Sequence, residues 1–130
     1  MKPLFLIADD NDGKTDFLQR MILKNMDVEI ITAATVEDAI SLIDQHVEIA
    51  CAFVDYYIPK STGIDIIKHL KKHNPGSLIA LVSSADDADN EAEAMKAGAE
   101  SFICTSWQLD RVETAINLLL AEWKVQVKEN

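Results

Sequence analysis

Five short strand-like runs, each separated from the next by a segment of helical character, constrain the fold of this chain more than any other feature. They are Leu4 to Ala8, Val28 to Ala33, Ile49 to Asp55, Leu78 to Ser83 and Ser101 to Cys104. The first and third are apolar almost throughout, which reads as strands buried on both faces of a parallel sheet. The second alternates weakly, with Glu29 and Thr32, as suits an edge. The first run ends on Asp9-Asp10 and the third on Asp55. In an open parallel sheet, ligands bind past the carboxyl ends of the strands, where strand order reverses. Three acids gathered at that edge repel one another and call for a hard divalent cation on oxygen ligands. Mg2+ suits a small, partly hydrated site of this kind.

The intervening segments carry helical stripes. Lys14 to Met26 aligns Phe17, Leu18, Met21 and Ile22. Thr35 caps a helix that turns Ala39, Ile40, Leu42 and Ile43 inward, and Asp38 completes an approximate capping box. Tyr56 to Gly63 reads as a loop punctuated by Pro59 and Gly63. The helix after it carries Ile64, Ile67 and Leu70 inward and stops at Asn74-Pro75-Gly76. Asp86 to Ala97 is poor in large apolar residues and is expected to pack through Ala88, Ala92 and Met95, closed by Gly98. The last helix runs from Gln108 past Trp123 with Leu109, Val112, Ile116, Leu119, Leu120 and Trp123 on its stripe. No repeat or linker interrupts this alternation, so residues 1–130 read as one doubly wound α/β domain. Right-handed crossovers make 2-1-3-4-5 the natural strand order. That order sets the first and third strands side by side, and Asp9, Asp10 and Asp55 converge.

Charge and length exclude several classes. A net charge of −10 argues against nucleic acid or anionic membrane as a direct partner. No apolar run approaches the roughly 20 residues of a membrane span. The amino-terminal apolar stretch is too short for a signal peptide and runs straight into acids, so a cytoplasmic location is expected. Cys51 and Cys104 fall in the third and fifth strands with the fourth between them, so they read as small buried apolar residues rather than a disulfide.

Asp55, then Pro59, then Gly63 define a loop that curls back over the strand end. Together with Asp9-Asp10 after the first strand, a hydroxyl ending the fourth, Ala97-Gly98-Ala99 and the aromatic Phe102, this pattern resembles the receiver domain of two-component response regulators. The resemblance covers essentially the whole chain. It implies a flavodoxin-like receiver fold and a phosphoacceptor that is not itself an enzyme. By resemblance Asp55 accepts the phosphoryl group, Asp10 ligates Mg2+ directly, and Asp9 holds it, often through water. The Tyr57 carbonyl is the third protein ligand. Ser83 bonds the new phosphoryl oxygens, with Ser84 as the rival one register step away. Phe102 is the aromatic that turns inward with that hydroxyl, ordinary core filling being the plain alternative. The implied partners are a sensor histidine kinase or histidine phosphotransfer protein, and a downstream protein on the face of helix four, strand five and helix five.

One departure stands out. Where the family ends its fifth strand on lysine and proline, this chain has Thr105-Ser106. Thr105 can donate a neutral hydrogen bond but no charge, and a charge-assisted contact is roughly twice as strong. Lys60, beside Pro59, and Lys14, on the first loop, are the nearby cations that could partly substitute for the missing lysine, two solvated lysines being the plain alternative. The competing function is a pseudo-receiver that is not phosphorylated and acts as a protein interaction module.

Other motifs fail. Gly13-Lys14-Thr15 resembles the end of a P-loop, but Ala8 stands where its first glycine belongs. The same segment lacks EF-hand ligands at both ends. Asp10-Asn11-Asp12-Gly13 resembles a haloacid-dehalogenase-type nucleophile motif but leaves the Asp55 loop unexplained. His69 and His73 lie four apart on a helix, with no third metal ligand evident, and read as a solvated pair. Trp107 and Trp123 read as packing.

Overall fold

Apolar runs of this kind bury both faces only if helices cover each side, and the computed structural model, which describes residues 2–46 and 48–127, has that arrangement. In chain order the elements are β1 (Leu4–Ala8), α1 (Asp12–Asn25), β2 (Glu29–Ala33), α2 (Val36–Gln45) and β3 (Ile49–Val54). Then come β4 (Tyr57–Ile58), β5 (Ser61–Thr62), α3 (Ile64–His73), β6 (Leu78–Ser83), α4 (Ala88–Ala97), β7 (Ser101–Cys104) and α5 (Leu109–Gln126). The main sheet is parallel, in the order β2-β1-β3-β6-β7. This is the expected 2-1-3-4-5 order of a flavodoxin-like fold, with β6 and β7 as its fourth and fifth strands.

Alternate residues of each strand feed opposite layers. Phe5, Ile7, Phe53 and Val82 pack with Leu18 and Ile22 of α1 and Val112, Ile116 and Leu120 of α5. Trp123 closes this layer, 1% exposed, with its ring centroid 5.3 Å from that of Phe53. Leu6, Ala52, Val54 and Leu81 pack on the other side with Ala39 and Ile43 of α2, Ile67 and Leu70 of α3 and Ala94 of α4. Cys51 and Cys104 are free and buried. No helix among the described residues is long and apolar enough to cross a membrane.

Three local expectations change. α4 packs through Asn90 and Ala94, while Ala88 and Ala92 are exposed and Met95 is 41% exposed. A helix of small residues has no bulky stripe to set its phase, and here Asn90 sets it by donating its side-chain amide to the Tyr57 hydroxyl at 3.2 Å. Leu109 is 64% exposed, because it opens α5 ahead of the stripe. The segment after Asp55 is not a plain loop. It contains the antiparallel ribbon β4–β5, turned by Lys60 at φ 69.

Candidate functional site

Strand register builds the site. Ala8 of β1 lies level with Val54 of β3 and Ala33 of β2. Asp9 and Asp55 therefore leave the sheet side by side. Their backbones stay tied to it, Asp55 N–H donating to the Ala8 carbonyl and Asp9 N–H to the Ala33 carbonyl, both at 2.9 Å. Asp9 is 5% and Asp55 8% exposed, while Asp10 is exposed. Carboxylate oxygens of all three lie within 4.8 Å of one another.

Burial raises the Asp55 carboxyl from its usual 3.8 to about 6, the nearby Asp9 charge adding to the rise and Lys14 opposing it. Asp9 Oδ1 accepts the Asn11 N–H at 2.9 Å. Asp9 Oδ2 meets the Lys14 ammonium at 2.8 Å as a charge contact, but in an orientation that supplies no hydrogen bond. A buried carboxylate oxygen without a donor, beside two further acids, is a donor set that fits a hard cation completed by water.

Lys14 is a cation of the site, as its role of partial substitute required, but it comes from a helix and not from a loop, and it is not solvated. Its ammonium also lies 3.3 Å from Asp55 Oδ1 and donates to the Val82 carbonyl at 3.3 Å, and its side chain is only 13% exposed. The cause is helix phase. α1 begins at Asp12, not at Lys14, with Asn11 as its cap accepting the Lys14 N–H at 2.8 Å. Lys14 thus sits in the first turn. Helical side chains lean toward the helix amino terminus, here the acidic sheet edge. Lys60 is exposed, as expected.

A cavity of about 610 Å³ opens over these groups, lined among others by Asp10, Lys14, Asp55, Tyr57, Ser84, Thr105 and Trp107. Thr105 thus faces the site, its N–H held by the Ser83 carbonyl at 2.9 Å. Ser84 is exposed in the cavity wall; Ser83 is fully buried at the end of β6, and its Oγ accepts the Ala85 N–H at 3.2 Å. Phe102, level with Leu81, is half-buried and meets Trp107 edge-on at 6.0 Å. Trp107 is further held by its indole N–H on Asp86 at 3.2 Å and by Arg111 stacked 3.9 Å from the ring centre. A second, larger cleft of about 720 Å³ lies by Pro3, Lys24 and Val127, where no cluster of metal-ligating side chains forms among the described residues.

The loop after Asp55 is anchored on both flanks. Gly63 N–H donates to the Tyr56 carbonyl at 2.8 Å. A Cβ at Gly63 would collide with the Asp55 carbonyl oxygen and lie 2.6 Å from Val54 Cγ1, so only glycine allows this approach. Tyr56 donates its hydroxyl to Glu93 of α4 at 2.7 Å, and Asn90 reaches Tyr57 from the same helix. These ties were not legible in the sequence, because the polar face of α4 carries no mark of what lies opposite.

A family model described as response regulator receiver domain matches residues 5–117. Among curated proteins, the regulatory protein LuxO of Vibrio cholerae is 29% identical over 100 residues, covering 77% of this chain and 22% of LuxO. The chain therefore spans under a quarter of the length of that relative. A receiver domain structure from Methanospirillum hungatei superposes with a TM-score of 0.79 at 21% identity, covering 97% of this chain and 99% of that one. The manganese-bound form of response regulator Rcp1 gives a TM-score of 0.81 at 14% identity, covering 98% and 99%.

Proposed function

The chain belongs to the response regulator receiver family, and from that premise we propose that it is a phosphoacceptor in a two-component phosphorelay, with Asp55 as the acceptor. The observation that carries the reading is Asp55 itself, a buried carboxylate at a cavity wall, flanked by two acids and one ammonium. A phosphohistidine on a kinase or phosphotransfer protein is the donor expected for this family. An Asp55 oxygen attacks phosphorus and a P–O bond forms. The P–N bond breaks, and its electron pair returns to the imidazole nitrogen, which is reprotonated from solvent. Phosphoryl transfer asks the protein mainly for alignment and charge stabilisation. Mg2+, standard in this family, neutralises charge between anionic nucleophile and anionic phosphoryl group when bound. Asp9, Asp10, Asp55 and the Tyr57 carbonyl are the groups that would hold it.

Lys14 takes the part of the absent strand-five lysine in this reading. It approaches from α1 instead of β7, already within 3.3 Å of the acceptor. Thr105, which also lines the cavity, adds a neutral hydroxyl. We keep Ser83 as the hydroxyl that reports phosphorylation, although Ser84 lines the cavity. Ser83 follows Leu81 by two residues, so it shares with Phe102 the sheet face covered by α4. A shift there reaches β7 and the α4–β7–α5 surface, where a downstream protein would read it.

Incubation with acetyl phosphate and Mg2+, followed by intact mass, tests the function. Wild type is expected to gain one phosphoryl group and Asp55→Asn none. No gain by wild type moves the function to an interaction-only module. Mg2+ is also expected to raise the melting temperature by mass action at millimolar concentration. Asp10→Ala should abolish that rise, and an equal rise in the variant would place the metal elsewhere.

A further inference from the structure

His69 and His73 project from one face of α3, and the fold supplies the third ligand that the local sequence lacks. Asp44, in the last turn of α2, lies directly opposite. Its Oδ1 is 2.8 Å from His69 Nε2 and 3.0 Å from His73 Nε2. The two imidazole centroids are 4.7 Å apart. The three residues offer ligand atoms within 4.8 Å of one another and form a group distinct from Asp9, Asp10 and Asp55.

We propose that Asp44, His69 and His73 form a second metal site, one that takes a borderline transition-metal dication of the Zn2+ type. The donor chemistry selects the ion. Two imidazole nitrogens and one carboxylate suit zinc, whereas Mg2+ prefers an all-oxygen shell. Geometry agrees. With metal–ligand bonds of about 2.0–2.1 Å, tetrahedral ligand atoms stand about 3.3 Å apart. The observed separations of 2.8 and 3.0 Å need to open by only a few tenths of an ångström. Both histidines come from one rigid helix at i and i+4, so only Asp44 has to be brought in from elsewhere. All three side chains are partly exposed, which leaves an open path for the ion and a fourth position for water. Cys51 and Cys104 do not compete, because both are buried in the sheet. Metal held there clamps α2 to α3, the helix that follows the acceptor loop.

Calorimetric titration of untagged, EDTA-treated protein with zinc chloride tests the site. Wild type is expected to bind one ion with micromolar affinity and to melt at higher temperature with zinc present. His69→Gln, His73→Gln and Asp44→Asn should each weaken binding by roughly tenfold or more, since each removes one of three ligands. Asp10→Ala should leave zinc binding unchanged. Melts in EDTA confirm that each variant is folded. Equal affinity in His73→Gln and wild type overturns the proposal, as does millimolar binding by wild type. So does loss of zinc binding in Asp10→Ala, which would put the ion in the acidic pocket. In the first two cases the trio is a hydrogen-bonded surface cluster and no more.

Discussion

Methionine in place of Lys14 is expected to slow phosphoryl uptake by roughly 10–100-fold, the equivalent of one charge-assisted hydrogen bond worth about 1.5–3 kcal/mol. The same substitution should tighten Mg2+ binding. Both effects follow from one position. The ammonium is 2.8 Å from Asp9 and 3.3 Å from Asp55, so it stands where a divalent cation also wants to be. Removing it lifts a like-charge repulsion on the metal and strips the incoming phosphoryl group of the only side-chain cation that the described residues place in the cavity wall. Methionine keeps the length and apolar stem, so the cavity is not opened by truncation. Thr105→Lys should add little to wild type, which already has a cation, and should restore much of the rate in Lys14→Met. The measurements are the time course of phosphorylated mass at saturating Mg2+ and the Mg2+ dependence of the melting temperature. An unchanged rate in Lys14→Met would show that the ammonium plays no part in transfer.

In metal-free protein, Asp55→Asn is expected to raise stability near neutral pH by roughly 1–3 kcal/mol, from a shift of about two pKa units at 1.36 kcal/mol each. The sign follows from the folded carboxyl titrating near 6 against 3.8 in its ordinary state. Folding therefore favours the protonated form. Below the ordinary value both states are protonated and the group costs nothing. As pH rises from 3.8 toward 6 the unfolded chain ionises first, and stability falls. Above that window the full cost remains. Asparagine carries no such cost, so the gap between variant and wild type should be open at about pH 7.5 and nearly closed at about pH 4. Denaturant melts in EDTA at the two pH values measure it. Mg2+ should narrow the gap, because it favours only the ionised aspartate. A variant no more stable than wild type at the higher pH would refute the account.

Much of the fold was legible because its marks are local. β6 and β7 have the bounds that their apolar composition implied, and Thr35 caps α2 with its hydroxyl on the Asp38 N–H at 3.0 Å. Burial on both faces erases polar alternation, and a cap needs only the next few residues. The acidic cluster was legible for a related reason. Acids that end adjacent parallel strands must emerge at one edge, whatever the helices do. Pro59 and Gly63 marked the loop after Asp55, although the β4–β5 ribbon within it was not foreseen, since a two-residue pairing leaves no pattern.

The tertiary structure alone decided which side chains meet across elements. Lys14 and Lys60 read alike, as solvated lysines or as stand-ins for the missing charge, until α1 is seen to start two residues earlier, which swings Lys14 onto Asp9 and Asp55. Asn90 reads as one polar residue among many until α4 docks and carries it to Tyr57. His69 and His73 lack a third ligand until α2 lays Asp44 against α3. The physical reason is common to all three. Strand burial and helix capping are encoded within a few residues, so a sequence determines them by itself. The rotation of a helix about its axis and its partner on the sheet depend on packing summed over the whole core, and a change of phase by one or two residues carries a charge from solvent into the pocket.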